Sequence, residues 1–303
     1  MKVLVAGGTG FIGQAVVAEL TRTSDHQVMS ISRSATGHVA ISGKVDYVEV
    51  DWREAYRSEA VLEFEPDVLI NVVGTSHPRS SIGHETAEID GALLPFFRLI
   101  DALKGKGLKR VVFASSAGAL YRSALHTTVK PRADSAYFSV KLGTEAFLTS
   151  WINAIGITGI VLRVSNPLGW NRKAGFGVVS HFSRAILSRS HVEFVGDYQN
   201  FKDYVDVSDV ARAFAATIAY EGRVGHCDIV DIGSGSAISA EGVYLGLVAL
   251  SEGKEFPREL IKRSALSLEQ TAALLAWRPR VDLIEAVSWI FDRERQASGG
   301  HIR

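Results

Sequence analysis

A run of glycines near the start of the chain, Gly7-Gly8-Thr9-Gly10-Phe11-Ile12-Gly13, constrains the fold more than any other feature. It follows the apolar run Val3-Leu4-Val5-Ala6, which suits a short strand buried on both faces. It leads into Ile12, Ala15, Val16 and Leu20, apolar residues recurring at helical spacing. Strand, glycine turn and helix in direct succession open a βαβ unit. Glycines let the backbone turn tightly and approach a pyrophosphate, whose charge then rests on the helix N-terminus. The spacing here is GxxGxxG (Gly7, Gly10, Gly13) rather than the commoner GxGxxG. Its position between strand and helix makes it a dinucleotide cradle rather than a ligand-free turn, with Gly7, Gly10, Phe11, Ile12 and Gly13 as the lining.

The same alternation continues. Val28 to Ile31, Val45 to Val50, Val68 to Val73, Val111 to Ala114 and Ile157 to Leu162 read as further strands. Thr86 to Lys104 and Ser135 to Ala154 read as long helices between them. This rhythm predicts a doubly wound α/β fold of the Rossmann type, a parallel sheet with helices on both faces. After Arg163 the texture becomes turn-rich. A helix over Val178 to Ser188, a strand near Val192 to Val195, a helix over Val207 to Tyr220, a strand at Cys227 to Ile232 and two more helices follow. The expected division is residues 1–165 as the nucleotide-binding domain. Residues 166–303 then form a smaller mixed α/β part that faces substrate and returns elements to the main sheet.

Charge and composition narrow the function. Thirty-three basic and thirty-three acidic residues balance, so neither nucleic acid nor an anionic membrane is expected as a partner. No apolar run approaches the ~20 residues of a membrane span, and the N-terminus does not read as a signal peptide. A cytoplasmic location is expected. The single Cys227 excludes a disulfide framework, and scattered histidines argue against a metal site.

The end of the second strand selects the dinucleotide. NAD binders generally place an acid there to grip the ribose 2′-hydroxyl. This chain reads Ser32-Arg33-Ser34. A carboxylate would repel a 2′-phosphate, whereas Arg33 can pair with it bidentately and Ser32 or Ser34 can donate to it. The sequence therefore predicts NADP(H), with NAD(H) as the alternative.

Tyr137-Phe138-Ser139-Val140-Lys141 puts a phenol and an ammonium at i and i+4 on one helix face. Upstream, the strand Val111 to Ala114 ends in Ser115-Ser116, at the sheet edge where ligands bind. The three types suit proton transfer coupled to hydride transfer. A tyrosinate near neutral pH needs its pKa lowered from ~10 by ~3 units, about 4 kcal/mol. Lys141 and an oxidised nicotinamide would both favour that anion. Tyr137 would then move the alcohol proton, Ser116 would hydrogen-bond the same oxygen, and Lys141 would also hold the nicotinamide ribose.

Together these motifs resemble the extended short-chain dehydrogenase/reductase family, the NAD(P)-dependent epimerase/dehydratases of nucleotide sugars. Asp51-Trp52, Asn71-Val72-Val73-Gly74, the stretch Arg163 to Gly169, Lys202-Asp203-Tyr204-Val205-Asp206-Val207-Ser208-Asp209 and Leu274-Leu275-Ala276-Trp277-Arg278-Pro279 match in order. The resemblance implies that Asp51 binds the adenine edge, that Trp52 beside it is among the cofactor-binding residues, and that Val73 and Gly74 line the cofactor channel. It implies that Asn166 and Lys202 contact the nucleotide sugar, Lys202 standing where relatives carry arginine. A second departure is Glu88-Ile89-Asp90-Gly91, where relatives tend to show asparagines. A homodimer is implied too, pairing the helices of Phe96/Phe97/Leu99 and Leu142/Phe147.

Family epimerases hold NAD tightly and recycle it, whereas net reductases exchange spent cofactor and commonly draw on NADPH. The Ser32/Arg33 pair thus points to 4-keto reduction of a nucleoside-diphosphate hexose. An NAD-dependent 4-epimerase of the UDP-glucose type is the alternative. A dehydratase would need acids where Ala117-Gly118 follow Ser116. A non-catalytic NADP(H) sensor on the same fold is the remaining reading. Trp170, Phe176 and Phe182 are expected in the core more than on a base, His77 as a solvated loop residue, and Cys227 as a small buried hydrophobe.

Overall fold

The computed structural model describes residues 1–23, 25–34, 45–74, 81–117, 121, 125, 135–171, 177–194, 196, 198–264 and 266–299. Seven parallel strands form the main sheet: β1 (Lys2–Ala6), β2 (Gln27–Ser32), β3 (Val45–Glu49), β4 (Val68–Asn71), β5 (Arg110–Ser116), β6 (Thr158–Val164) and β9 (Cys227–Ile232). Their order is β3-β2-β1-β4-β5-β6-β9, so the winding reverses at β1. All seven carboxyl ends share one edge, and the crevice lies where the order reverses.

Alternation along β1 shows how the layers are held. Val3 and Val5 point to one face, onto Val16, Val17 and Leu20 of the first helix (Phe11–Thr23) and Val210 and Phe214 of the Val207–Ala216 helix. Leu4 and Ala6 point to the other, onto Phe96, Leu99 and Ile100 of the Leu94–Ala102 helix and Leu148 and Ile152 of the Ala136–Ile155 helix. Side chains of this size contribute about 1.5–3 kcal/mol each when fully buried. The expected doubly wound fold is present.

A second sheet joins β7 (Asn166–Leu168), β8 (Lys202–Asp206), β10 (Ser236–Ile238) and β11 (Lys262–Arg263), in the order β11-β10-β8-β7. It carries its own core, Phe182, Tyr204, Ile238, Val243, Leu247, Val287 and Phe291, under helices Val178–Leu187, Ala240–Ser251 and Leu283–Ala297. Two- and three-residue strands are too short to show a period, which is why the pattern does not mark β7, β10 or β11.

Three local expectations are corrected. His191 to Phe194 carry no strand, and Val195 lies outside the described residues. The Val207 helix ends at Ala216, followed by turns. The stretch from Thr86 is not one helix: Glu85–Glu88 runs into a wide π-turn, Ile89–Leu93, before Leu94–Ala102. Pro95 cannot donate to the carbonyl of Gly91, so regular α-helical bonding fails there. Of the residues expected at a dimer face, Phe96 and Leu99 are wholly buried, whereas Phe147 is 60% exposed beside Phe97, ring centroids 5.9 Å apart. Among the described residues no helix is long and apolar enough to cross a membrane. Cys227 is buried, as expected, and burial pushes its thiol up to about 12.

Candidate active site

Six of the sequence-predicted segments reach the same sheet edge, because each follows a strand of the parallel sheet. The glycine loop follows β1, Ser32-Arg33 closes β2, Asp51 follows β3, Val73-Gly74 follows β4, Ser116 ends β5 and Asn166 follows β6. Ser116 stands two strands from the glycine loop, roughly 10 Å at the usual strand spacing.

The cradle is shaped by what cannot fit in it. A Cβ on Gly13 would lie 2.1 Å from the Gly7 carbonyl oxygen and 2.7 Å from the Gly8 Cα. One on Gly7, whose φ is +84°, would press on the Val73 backbone at 3.1 Å. Gly10 N–H donates to the Gly7 carbonyl at 2.9 Å, closing the turn. The first turn of the following helix carries no acidic residue, leaving its positive end uncompensated. These features fit a dinucleotide pyrophosphate. Ile12 packs into the core, so its part is played by backbone. The Phe11 ring abuts Gly169, where a Cβ would come within 2.9 Å of it, and so ties the cradle to the segment after β7.

After β2, Arg33 and Ser34 are exposed, and the Ser32 hydroxyl donates to the Ser34 carbonyl at 3.1 Å. Ser32 therefore shapes its own turn rather than offering its proton outward. Asp51 caps the Trp52–Arg57 turn, accepting from the Arg53 N–H at 2.9 Å, and its carboxylate pairs with the Arg53 guanidinium at 2.6 Å. That pairing, helped by Arg33, holds Asp51 down at about 2. Sequence reasoning missed Arg53. Trp52 is turned the other way: it is 7% exposed, stacks on Phe96 and belongs to the core. Val73 N–H donates to the Asn71 side chain at 3.0 Å, which fixes the loop after β4.

The structure brings Ser116, Tyr137 and Lys141 together. Ser135 caps the Ala136–Ile155 helix, and Tyr137 N–H donates to the buried Ser81 hydroxyl at 3.0 Å. The Ser116 side chain hydrogen-bonds the Tyr137 hydroxyl. Lys141 donates to the Ala114 carbonyl at 2.7 Å and lies 4.7 Å from the Phe113 ring centroid and 5.8 Å from that of Tyr137. Burial pushes the Lys141 ammonium down to about 8, against the pull of Glu145 and Glu88. Burial, and then the Glu88 carboxylate, raise the Tyr137 pKa above the ordinary value, outweighing the Ser116 hydrogen bond. In the protein alone the phenol keeps its proton.

Behind these groups runs a buried polar chain that the sequence did not single out. Ser115 donates to Glu145 at 2.5 Å, Arg163 pairs with Glu145 at 2.6 Å, and Arg163 donates to the Tyr121 hydroxyl at 3.1 Å. Asp231 closes it, accepting from Tyr121 at 3.3 Å. Burial pushes Asp231 up to about 6. One signal was available: Glu145 stands one helical turn beyond Lys141 on the face of Tyr137.

On the far side of the crevice, Asn166 and Lys202 line a cavity of about 670 Å³ with His181, Phe182, Phe194 and Tyr198. The Asn166 amide donates to the Asp203 carbonyl at 2.8 Å, and the buried Asp203 carboxylate accepts from Ser165 and from the Ser234 and Gly235 N–H groups. Trp170 packs against the second core, as expected, while Phe182 serves both core and cavity. His77, Phe176 and Gly118 lie outside the described residues.

Comparison with known proteins agrees with this geometry. The family model described as NAD dependent epimerase/dehydratase family matches residues 3–233. The chain is 27% identical to the UDP-glucose 4-epimerase of Mycolicibacterium smegmatis over 95% of its length and 96% of that protein's. It is 28% identical to the dTDP-4-dehydro-6-deoxyglucose reductase of Escherichia coli over 94% of its length and 95% of that protein's. The crystal structure of the Thermus thermophilus UDP-glucose 4-epimerase in complex with NAD superposes with a TM-score of 0.79 at 28% identity. That match covers 98% of this chain and 100% of that one. These relatives set aside the non-catalytic reading: the chain belongs to the NAD dependent epimerase/dehydratase family and is an enzyme of it.

Proposed function

We propose that the protein is an NADP(H)-preferring reductase of a 4-keto nucleoside-diphosphate hexose. The observation that carries this reading is the Ser116/Tyr137/Lys141 cluster, in which a buried phenol holds its proton beside a serine hydroxyl. A phenol in that state is an acid, suited to protonating a carbonyl oxygen as hydride arrives at the carbon. The bound dinucleotide supplies the hydride. Gly7, Gly10, Phe11, Ile12 and Gly13 hold its pyrophosphate, Asp51 its adenine edge, and Val73 and Gly74 line its channel. Arg33 meets the 2′-phosphate, which the absence of an acid at Ser32 leaves unopposed.

Tyr137 donates the proton, Ser116 orients the substrate oxygen, and Lys141 places a positive charge behind both. Asn166 and Lys202 hold the diphosphate of the sugar nucleotide at the cavity mouth. The first 165 residues thus bind cofactor and the remainder closes on substrate. Exposed Leu94 and Phe147, with half-buried Phe97 between them, form the face through which two copies would pair.

A second reading, a 4-epimerase with retained NAD, is favoured by two of the three relatives named above, the UDP-glucose 4-epimerases. Incubation of the purified protein with a dTDP-4-keto-6-deoxyhexose and either NADPH or NADH tests both. The reductase reading expects stoichiometric loss of reduced nicotinamide absorbance, with NADPH preferred by about tenfold or more, the worth of one charge-assisted phosphate contact. Co-purified NAD with interconversion of UDP-glucose and UDP-galactose, and no net cofactor consumption, would overturn it in favour of the epimerase.

A further inference from the structure

The helix Ala136–Ile155 is held to the sheet by two different means along its length. Its later half carries apolar anchors: Leu148 and Ile152 join the core over β5 and β6, with Trp151 packed beside them. Between Ala136 and Phe147 no residue joins any of the three buried apolar cores. Yet that half bears Tyr137 and Lys141, and polar contacts hold it. Tyr137, Lys141 and Glu145 stand at i, i+4 and i+8 on one helix face. Lys141 donates to the Ala114 carbonyl at 2.7 Å, and Ser115, the next residue of β5, donates to Glu145 at 2.5 Å. The residue after that is Ser116. Glu145 is 3% exposed, and Arg163 grips both of its oxygens, at 3.0 and 2.6 Å. Ser115 and Arg163 are register partners on β5 and β6, so one carboxylate spans two adjacent strands.

Resting on the proposed function, we infer that Glu145 is a positioning residue of the proton-transfer centre, the carboxylate that fixes the Tyr137/Lys141 half of the helix in register with the end of β5. Two residues back along the same face of the sheet, the pair in register is Phe113 and Val161, both in the apolar core. Apolar residues could have continued that core, since a buried ion pair stabilises no better than apolar side chains of similar volume. What the pair adds is direction. Apolar packing tolerates sliding, whereas two charge-assisted bonds from Arg163 and one from Ser115 fix where the carboxylate sits along the strand. Arg163 is itself tied to the Tyr121 hydroxyl at 3.1 Å, so the point of attachment is held from both sides. The Lys141 contact rides on a flexible four-carbon stem and is the weaker guide. Glu145, two turns beyond Tyr137, thus sets the height of the phenol over Ser116.

The test uses the full-length protein with ¹³C-labelled tyrosine rings, the Tyr137 resonance being assigned by its loss in Tyr137→Phe. Ser115→Ala removes one bond to Glu145 and keeps the buried ion pair, so the fold is retained. Glu145→Gln weakens the attachment to both strands. Val287→Ala, in the core under the second sheet, supplies a loss of stability without touching the attachment. The Tyr137 resonance is expected to be displaced in Ser115→Ala, further displaced in Glu145→Gln, restored in Ser115→Thr and unmoved in Val287→Ala. Turnover should follow the same order, kcat falling by ~10-fold in Ser115→Ala and ~10²-fold in Glu145→Gln while KM and cofactor affinity stay within about twofold. An unmoved Tyr137 resonance in Ser115→Ala, with the variant folded by circular dichroism, overturns the proposal, and so does a displaced resonance with undiminished kcat. The resonance is read without substrate, so failure of the proposed function is separable: the parent would not turn over a keto sugar, yet its Tyr137 resonance would still move on Ser115→Ala.

Discussion

The cradle after β1 and the cluster after β5 sit on one sheet edge, two strands apart, yet different forces hold them. The cradle is made of backbone, and its shape is enforced by exclusion: a single methyl on Gly13 would overlap the Gly7 carbonyl. The cluster is made of side chains held by charge and burial, with Lys141 set between the fields of Glu145 and Glu88. Contact forces act over a few tenths of an ångström, whereas charges act over several ångströms when water is excluded. The first region should therefore fail sharply under steric change, and the second should respond to pH.

The largest effect is expected at the cluster. Tyr137→Phe removes the transferable proton and leaves the glycine loop untouched. Turnover should fall by ~10²–10⁴-fold, the usual contribution of a general acid or base, while cofactor affinity stays within about twofold of the parent. Titration calorimetry beside steady-state rates checks both halves. A variant that retained full turnover would remove tyrosine from the chemistry and the contrast with it.

The second effect follows from Lys141. Its pKa in the folded protein is about 8, below the ordinary 10.5, so the unfolded chain binds this proton more tightly. Between those two values the unfolded state carries the proton and the folded state does not, so stability rises with pH across that window. Below about pH 8 the buried ammonium costs the fold its full penalty, up to about 3 kcal/mol from the size of the shift. Denaturant unfolding of the parent and of Lys141→Met should give a difference that is flat below pH 8 and grows in the parent's favour up to about pH 10.5. A difference independent of pH would mean that Lys141 is solvated, and the cluster would lose its electrostatic character.

The unequal legibility of the two regions has the same origin. The cradle is local: Gly7, Gly10 and Gly13 are contiguous with the strand and helix they join, so spacing alone places them. Tyr137 and Lys141 are legible for the same reason, being one helical turn apart. Of their partners, only Glu145 shares their helix. Glu88, Arg163 and Asp231 come from separate elements that meet only when the sheet is wound, and a burial-raised phenol depends on that winding. Trp52 shows that the resemblance does not tell where a ring points, since its side chain lies in the core. The second sheet was hidden by the brevity of β7, β10 and β11; Asp203 in β8 ties down the residues just before two of them, Ser165 ahead of β7 and Ser234 and Gly235 ahead of β10.

The smallest effect separates the glycines of the cradle from one another. Gly13→Ala sets a methyl against backbone, at Gly7 and Gly8, which cannot rotate away. Overpacking of this kind costs about 1–3 kcal/mol, so cofactor affinity should drop by roughly 5- to 150-fold. Gly8→Ala meets a different obstacle, the Ser30 hydroxyl at 2.2 Å, a buried group without a hydrogen-bond partner. That clash is with a side chain. Adding Ser30→Ala should therefore recover most of the affinity lost in Gly8→Ala, whereas Ser30→Ala should recover none of the loss in Gly13→Ala. Cofactor titrations of the four variants decide it. Equal rescue at both positions would show that the loop yields as a whole, and the cradle would then be a pliant turn whose form the cofactor imposes rather than finds.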